Sequence, residues 1–324
     1  MNRIDSDTEV FIIKTGQYET FAADTGSTFS LGDVLRTTAL LPALTKAKKI
    51  HWLTDKNAAA LLPTEASDFA VRFELSYLKQ NIDEAHVLIL NLERDPKLIP
   101  ILQNKKNILG YIFNNEQWLI RDYLSNIYTV EAWIEHCAST RVYSWGAMLQ
   151  KLVGPIATAT TPIFKRPETK IISDIGFNWH VGTKWVSKKI GIHIWNKLEQ
   201  GLQSKYKVSW QQGLNSVSEY ASWVASNRLI ISTDSLGLHL ANGMDIPVIG
   251  LFGSTDYKLH DTGLRAHYIN FDTPKDVYTC LPCWKSTCFQ KTHCSEFMDF
   301  KTVYKLVDEL LNEKAYCEKN NTFR

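Results

Sequence analysis

The sequence predicts an α/β protein made of two doubly wound domains, each with a mainly parallel sheet between layers of helices. The chain has 324 residues, which is longer than a single hydrophobic core usually grows. Short apolar runs alternate with segments of helical periodicity, as is typical of parallel sheets. The stretch VGPIATATTPIFKRPETK shows neither pattern and separates two such series. We therefore expect two domains, residues 1–165 and 166–324.

The first half alternates strand-like and helix-like segments. Its strands are expected in EVFIIKTG, KKIHWLT and HVLILNL, each rich in apolar residues. After Ser30, which could act as a cap, apolar residues recur at helical spacing and predict one helix in SLGDVLRTTALLPALTKA. NAAALLP predicts a second helix between two of the strands.

The second half repeats the alternation. Strands are expected in KIISDIGFN, KVSWQ, LIIST and IPVIGLF. Helices are expected over Ile192 to Leu202, in SVSEYASWVAS, in LGLHLANG and in the amphipathic closing segment FKTVYKLVDELLNEKAYC. Ligands bind outside the carboxyl ends of the strands in such sheets, so the chemistry is expected there.

Composition excludes several classes of protein. A formal net charge of +2 is too balanced for a surface that coats nucleic acid, and no apolar stretch reaches the length that spans a bilayer. The first residues, MNRIDSDTEV, lack the hydrophobic region of a signal peptide. These features predict a soluble cytoplasmic protein with at most peripheral membrane contact, possessing a local site for any anionic partner.

Polar residues follow two apolar strands of the second half. LIIST runs into Asp234 and Ser235, and Ser235 could cap a helix whose first amides favour an anion. IPVIGLF runs into the polar sequence GSTD. Singly, Asp234 and Ser235 could be caps and His239 an ordinary helix histidine. Their convergence predicts a phosphate site.

Two further features have alternative interpretations. Lysines in GTKWVSKK lie beside a helix N-terminus, where the dipole disfavours them, so either an anion binds there or the turn is solvated. Asp33 opens a helix, where it is either a charge that complements the dipole or a general base that faces the cleft.

Four of the six cysteines fall in the spacing C-x2-C-x4-C-x5-C, at Cys280, Cys283, Cys288 and Cys294. In a reducing compartment this spacing predicts a structural zinc or iron site with four thiolate ligands and no open position, with His293 as a spare ligand. The alternative is four reduced thiols in a surface loop.

Taken in order, SLGDVLRTTALLPAL, KWVSKK before IWNKL, VSWQQG followed by EYASWV, and TDSLGLHLA with GLFGSTD resemble the heptosyltransferases, glycosyltransferase family nine. The resemblance covers most of the chain. It implies the GT-B architecture, two Rossmann-like domains that face a cleft. It also implies inverting transfer of a heptose from a nucleotide donor, usually ADP-heptose, to lipopolysaccharide core or a related glycan or protein acceptor.

The resemblance also implies roles for residues. Asp33 would be the catalytic base of an acceptor-side domain, and the other domain would bind the nucleotide sugar. Its donor-binding residues would be Lys188, Thr183, Lys184, Gln211, Gln212, Asp234, Ser235, Leu236, Gly237 and His239. No catalytic divalent metal is expected. The chain departs from the family pattern by an extra segment at 17–29 and by Ser254 where a proline is frequent.

Two other functions are alternatives for a chain with this pattern of elements. A nicotinamide-dependent oxidoreductase would need G-x-G-x-x-G directly after a strand, which the sequence lacks. A non-catalytic sugar-nucleotide or partner-binding module, stiffened by its metal, would bind a donor without transferring its sugar.

Overall fold

The computed structural model describes residues 4–18, 29–64, 67–82, 86–156, 159–260, 263 and 265–312. The chain divides into two compact units, residues 1–164 and 165–324. Each unit is a doubly wound α/β structure built on its own sheet, the fold class that the sequence predicts. Most of the extra segment at 17–29 and the end of the predicted closing helix lie outside the described residues.

The sheet of the first unit has the strand order β3-β2-β1-β4-β5-β6-β7. Strands β1 to β5 pair in parallel, and β6 and β7 add an antiparallel edge. The strands are β1 Glu9–Ile13, β2 Lys49–Leu53, β3 Phe69–Arg72, β4 Val87–Asn91, β5 Ile108–Asn114, β6 Gln117–Arg121 and β7 Ile127–Tyr128. All five residues of the inner strand β4 are buried, as expected of a parallel strand covered on both faces.

The helices of the first unit are α1 Leu31–Thr37, α2 Leu75–Asn81, α3 Ile99–Leu102, α4 Val130–Ser139 and α5 Trp145–Val153. Short 3-10 helices cover Thr38–Leu44, Lys56–Leu61 and Pro96–Leu98. The single helix predicted over 30–47 is therefore wrong in its second half. Pro42 lacks an amide hydrogen and its ring crowds the carbonyl four residues earlier, so the α-helical ladder cannot continue. The helix predicted in NAAALLP is confirmed over residues 57–61, as part of the 3-10 helix Lys56–Leu61.

The sheet of the second unit is entirely parallel, in the order β12-β11-β10-β8-β9. Its strands are β8 Ser173–Asn178, β9 Val208–Trp210, β10 Asn227–Thr233, β11 Val248–Phe252 and β12 Ala266–Asn270. Its α-helices are α6 Ile192–Leu202, α7 Val217–Ala225, α8 Leu236–Gly243 and α9 Phe300–Leu311, and its 3-10 helices are Thr183–Lys188, Tyr257–Leu259 and Cys294–Phe297.

Helices α6 and α9 cover one face of this second sheet. Trp195 and Leu198 of α6 and Val303 and Val307 of α9 are buried against alternate residues of β8, β10 and β11. The 3.6-residue period of the helices and the two-residue period of the strands bring these apolar side chains to one layer. No helix of the described residues is long and apolar enough to cross a membrane.

Each sheet contains one point where the strand order reverses. In the first unit the chain passes from β1 outward to β3 and returns to place β4 on the other side of β1. In the second unit it passes from β8 to β9 and returns to place β10 on the other side of β8. Crevices form at the carboxyl ends of the strands at such points, and ligands of open α/β sheets bind in these crevices.

Candidate functional site

In the second unit the reversal lies between β8 and β10. Asn178 ends β8, and its side-chain nitrogen donates to the hydroxyls of Ser232 and Ser235, at 2.7 Å each. Tyr220 of α7 donates its hydroxyl proton to the Asn178 side-chain oxygen. This network fixes Ser235, the residue from which helix α8 begins.

Gly237 lies in the first turn of α8, directly against this network. A Cβ atom at this position would lie 2.5 Å from Asn178 Nδ2 and 2.6 Å from the Tyr220 hydroxyl. Only glycine therefore allows the amide-bearing end of α8 to approach the end of β8 so closely.

Asp234, which follows β10, is the centre of a buried charged cluster. Its Oδ2 atom lies 2.6 Å from Lys188 Nζ and accepts a hydrogen bond from the Thr255 hydroxyl at 2.8 Å. His260 Nε2 lies 3.5 Å from the same oxygen, and His239 Nε2 lies 3.9 Å from Oδ1. The carboxylate, which is 6% exposed, thus faces one ammonium and two imidazoles.

Two opposing effects act on the pKa of Asp234. Burial raises it, but His260, Lys188 and His239 together hold the pKa well below its usual range. Asp234 is therefore ionised at neutral pH and keeps Lys188 beside the first turn of α8. The arrangement gathers a fixed cation, two protonatable rings and the amides of a helix N-terminus, which is the set of groups that binds a phosphate.

The same cluster meets the distance condition for a metal site. Ligand atoms of Asp234, His239 and His260 lie within 4.8 Å of one another, and no other such group of His, Cys, Asp or Glu occurs among the described residues. However, the two imidazoles are stacked with planes 7° apart, so their lone pairs do not aim at one point. A cation would also compete with Lys188 for the carboxylate. The geometry favours an anion over a metal ion.

The other predicted donor residues lie in the segments that follow β8 and β9 and in the first turn of α8. Thr183 is exposed and Lys184 half-buried in the 3-10 helix that ends at Lys188, and Leu236 is half-buried in the first turn of α8. Gln211 is buried after β9, and its side-chain oxygen has no hydrogen-bond partner among the described residues. Gln212 is exposed and donates to the Trp210 carbonyl at 3.1 Å. Of the two glutamines, Gln211 is therefore the one with a buried side-chain oxygen that can still accept a hydrogen bond.

His260 is the member of the cluster that the sequence did not indicate. It follows a three-residue 3-10 helix, where no periodicity marks it. The available signal was its position shortly after β11, because β11 is the neighbour of β10 in the sheet. Thr255 lies in the polar GSTD segment that follows β11.

In the first unit the reversal between β1 and β4 holds a second buried charged group. Lys14 Nζ lies 3.4 Å from Glu93 Oε1 and 3.8 Å from Asp33 Oδ2, and the Lys14 and Glu93 side chains are fully buried. Glu93 also accepts backbone amide protons from Thr15, Gly16 and Tyr18 at 2.8 to 3.0 Å. The loop after β1 is thus wrapped around Glu93, and Lys14 places a positive charge beside Asp33.

Asp33 lies in the first turn of α1, where its amide proton points to the hydroxyl of Ser30 at 3.4 Å. Lys14 and Glu93 were not predicted as part of a site. They follow strands that are far apart in the chain, and only the sheet order shows that the two strands are neighbours.

The four clustered cysteines line one cavity of about 10 Å³, together with Ser187, Ser254 and His293. That volume admits a single water molecule or a small ion. Burial, and next the neighbouring Cys288 and Cys283, raise the pKa of the Cys294 thiol to about 12, so it is protonated at neutral pH.

Four cysteine sulfurs are suitable ligands for a zinc or iron ion, but in this structure they are too far apart to bind one ion together. Tetrahedral ligation at about 2.3 Å requires sulfurs roughly 3.8 Å apart, whereas no three of these ligand atoms lie within 4.8 Å of one another. Both ring nitrogens of His293 already make hydrogen bonds, to Ser295 and to the Ser187 carbonyl. Binding of an ion by His293 would therefore break one of these two hydrogen bonds.

Comparisons with known proteins found one matching family and several similar solved structures. The family described as Glycosyltransferase family 9 (heptosyltransferase) matches residues 177–293. The family 9 glycosyl transferase of Veillonella parvula is similar over 96% of this chain and 99% of its own, at 14% identity and a TM-score of 0.60. E. coli heptosyltransferase WaaC, solved with ADP, is similar over 94% of this chain and 100% of its own, at 14% identity and a TM-score of 0.54.

A third similar structure is the iron-containing dodecameric glycosyltransferase TibC of enterotoxigenic E. coli. It matches over 96% of this chain and 78% of its own, at 12% identity and a TM-score of 0.58. No curated protein matches the sequence significantly. The structural likenesses show the two-unit GT-B fold.

Proposed function

We propose that this chain, a heptosyltransferase-like glycosyltransferase by the family match over residues 177–293, moves a sugar from a nucleoside diphosphate donor to a hydroxyl group by a single inverting displacement. The observation that carries the proposal is the buried contact of Lys188 with Asp234, 2.6 Å long, at the N-terminus of α8. It lies where the strand order reverses, which is where such folds bind nucleotides.

The leaving group of the reaction is a diphosphate, and its charge grows as the glycosidic bond breaks. Lys188 and the amides that open α8 would stabilise that charge from fixed positions. Asp234 holds the lysine, and Asn178 holds the start of the helix. These residues therefore supply the electrostatic part of catalysis without moving.

The acceptor hydroxyl must lose its proton as it attacks the anomeric carbon. We assign this role to Asp33, beside which Lys14 supplies a positive charge. A positioned carboxylate of this kind contributes roughly 10² to 10⁴ in rate as a general base. Attack from the side opposite the leaving diphosphate inverts the configuration in one step.

We propose ADP-heptose as the donor and a lipopolysaccharide-core or related glycan, or a protein, as the acceptor. Support for the donor comes from similar structures solved with ADP and with ADP-D-β-D-heptose. The free buried oxygen of Gln211 can accept a hydrogen bond from a ribose hydroxyl or from the amino group of adenine. Gln211 would thus select the base or orient the ribose.

A panel of donors tests this function. ADP and ADP-heptose at 100 times their Kd should stabilise the protein by about 2.7 kcal/mol, raising its Tm, because they bind the native state alone. UDP and GDP should produce smaller shifts. Release of ADP from ADP-heptose with a heptose-acceptor glycan measures transfer. Stabilisation without ADP release under any acceptor would favour a binding module, and no stabilisation by any nucleotide would reject the donor site.

We also propose that the four cysteines hold one structural zinc or iron ion. The iron in TibC shows that a protein of this fold contains such an ion. Here the ion would tie residues 280–294 into one unit, and the chemistry that it supplies when bound is structural.

Elemental analysis of the purified protein should find about one zinc or iron per chain, and chelation should lower the Tm. Because Cys294 must lose its proton to bind the ion, metal affinity should fall as the pH is lowered. Cys283→Ser should abolish the metal content. Cys137→Ser, which changes a buried thiol of the other unit, is the matched control and should retain it. Metal-free protein that folds with an unchanged Tm would contradict the assignment.

A further inference from the structure

The cysteine-lined loop, residues 280–294, contacts the two segments that supply Asp234 with its partners. Ser187 immediately precedes Lys188, and Ser254 immediately precedes Thr255. The loop makes backbone hydrogen bonds to both: the Ser187 amide donates to the Ser286 carbonyl at 2.9 Å, and the Trp284 amide donates to the Ser254 carbonyl at 2.9 Å.

Side chains reinforce the contact with Ser187. Its hydroxyl donates to the Lys285 carbonyl, and its carbonyl lies 2.9 Å from His293 Nε2. The Ser295 amide donates to His293 Nδ1 at 3.2 Å. Because an amide nitrogen can only donate, Nδ1 is the acceptor and the ring proton is on Nε2, which donates to the Ser187 carbonyl. Ser187 therefore has its amide, its hydroxyl and its carbonyl all bonded to the loop.

Glycine 253 completes the contact on the other side. A Cβ atom there would lie 2.7 Å from the Cys294 sulfur, so this cysteine packs directly on the backbone that leads into Ser254 and Thr255. The buried Ser254 hydroxyl has no partner among the described residues and lines the same cavity as the four sulfurs. The loop thus contacts the segments of Ser187 and Ser254 through buried side chains as well as through backbone hydrogen bonds.

We propose that residues 280–294 are a positioning element of the diphosphate site, which hold Lys188 and Thr255 against Asp234 through Ser187 and Ser254. This inference deepens the proposed function and rests on it for the identity of the ligand. The loop does not touch the ligand. It fixes the direction in which Lys188 leaves the backbone, and so it sets the affinity for a nucleoside diphosphate.

His293→Ala tests the proposal, because it removes the proton donor to Ser187 and changes no group of the diphosphate site. We expect the Kd for ADP, measured by calorimetry, to rise about tenfold. The KM for the sugar donor should rise in parallel, while kcat at saturating donor stays within a factor of two. His293→Gln, whose side-chain amide can donate from a similar place, should restore the Kd to within threefold.

The matched control is His193→Ala. His193 Nε2 contacts Glu296 at 2.8 Å and so joins α6 to the 3-10 helix that follows the loop, but it has no bond to Ser187. Its ADP affinity should stay within twofold of wild type. An equal loss of affinity in both variants would mean general destabilisation and would overturn the proposal.

Hydrogen exchange separates failure of this inference from failure of the proposed function. His293→Ala should speed amide exchange in segments 183–189 and 254–256 more than in α6, whether or not ADP binds. Unchanged exchange there overturns the positioning role. If wild-type protein binds no ADP, the donor assignment fails. The change in amide exchange on His293→Ala still tests whether the loop holds segments 183–189 and 254–256. Should His293→Ala not fold, Ser187→Ala, which removes only the bond to Lys285, is measured in the same way and is expected to show a smaller effect in the same segments.

Discussion

Asp33→Asn is expected to lower kcat by about 10²- to 10⁴-fold, the usual contribution of a general base. The affinity for ADP should stay within a factor of two, because Asp33 belongs to the first unit and the diphosphate cluster to the second. Asparagine has the shape of aspartate but accepts no proton at neutral pH. Lys14 keeps Glu93 as its counter-charge, at 3.4 Å, so the buried group stays paired.

The control for this variant is Asp55→Asn in the same unit. Asp55 caps the 3-10 helix Lys56–Leu61, accepting the Asn57 amide proton, and asparagine caps about as well as aspartate. Its kcat should be unchanged. The acidic fall in the wild-type pH–rate profile should also disappear in Asp33→Asn. Near wild-type turnover at saturating donor and acceptor would show that another group removes the proton.

The sequence predicted the strands that are continuous apolar runs. It did not predict a hairpin whose turn lacks the residues typical of hairpin turns. β1, β4 and β11 are buried on both faces and could be identified directly. The hairpin of β5 and β6 could not, because its turn uses Asn115 and Glu116 at φ of 47° and 61°. Both turn positions have positive φ, for which the usual signal is Asn-Gly, and glutamate gives no such signal.

The residues of the two buried charged groups divide in the same way. Lys188, Asp234 and His239 follow strand ends that the alternation of elements reveals, and the structure brings them together. Lys14, Glu93 and His260 depend on which strands are neighbours in the sheet. That order is set by crossover connections, and crossovers leave no local pattern in the sequence.

The two units place similar groups at equivalent positions of their sheets. In the first unit, Lys14 follows β1 and meets Glu93, which follows β4. In the second unit, Lys188 ends the 3-10 helix after β8 and meets Asp234, which follows β10. Burial of a lysine is costly unless the lysine is paired, and each pair holds its lysine, fully buried for Lys14 and 17% exposed for Lys188, in a crevice from which the ammonium can act on a neighbour. In one unit that neighbour is Asp33, and in the other we propose the donor diphosphate.

Lys188→Ala is expected to weaken ADP binding by about 10- to 100-fold, because a charge-assisted hydrogen bond contributes roughly 1.5 to 3 kcal/mol. It should also destabilise the protein by about 3 to 5 kcal/mol, since it leaves the Asp234 carboxylate buried without its closest cation. Lys189→Ala, which alters the exposed neighbouring lysine, should change neither quantity. Calorimetry with ADP and denaturant unfolding measure the two effects separately.

The double variant Lys188→Met with Asp234→Asn distinguishes binding from stability. Removing both charges should recover most of the lost stability but none of the ADP affinity, because the cation that faces the phosphate is still absent.

The dependence of the free energy of unfolding on acidic pH provides a further check. The pKa of Asp234 is depressed in the folded state, so its stabilising contribution is complete above the unfolded pKa of about 3.9 and is lost as the pH falls through the lower folded value. The double variant should not show this loss of stability in acid. If the double variant instead regained ADP affinity, Lys188 would stabilise the fold without binding the diphosphate.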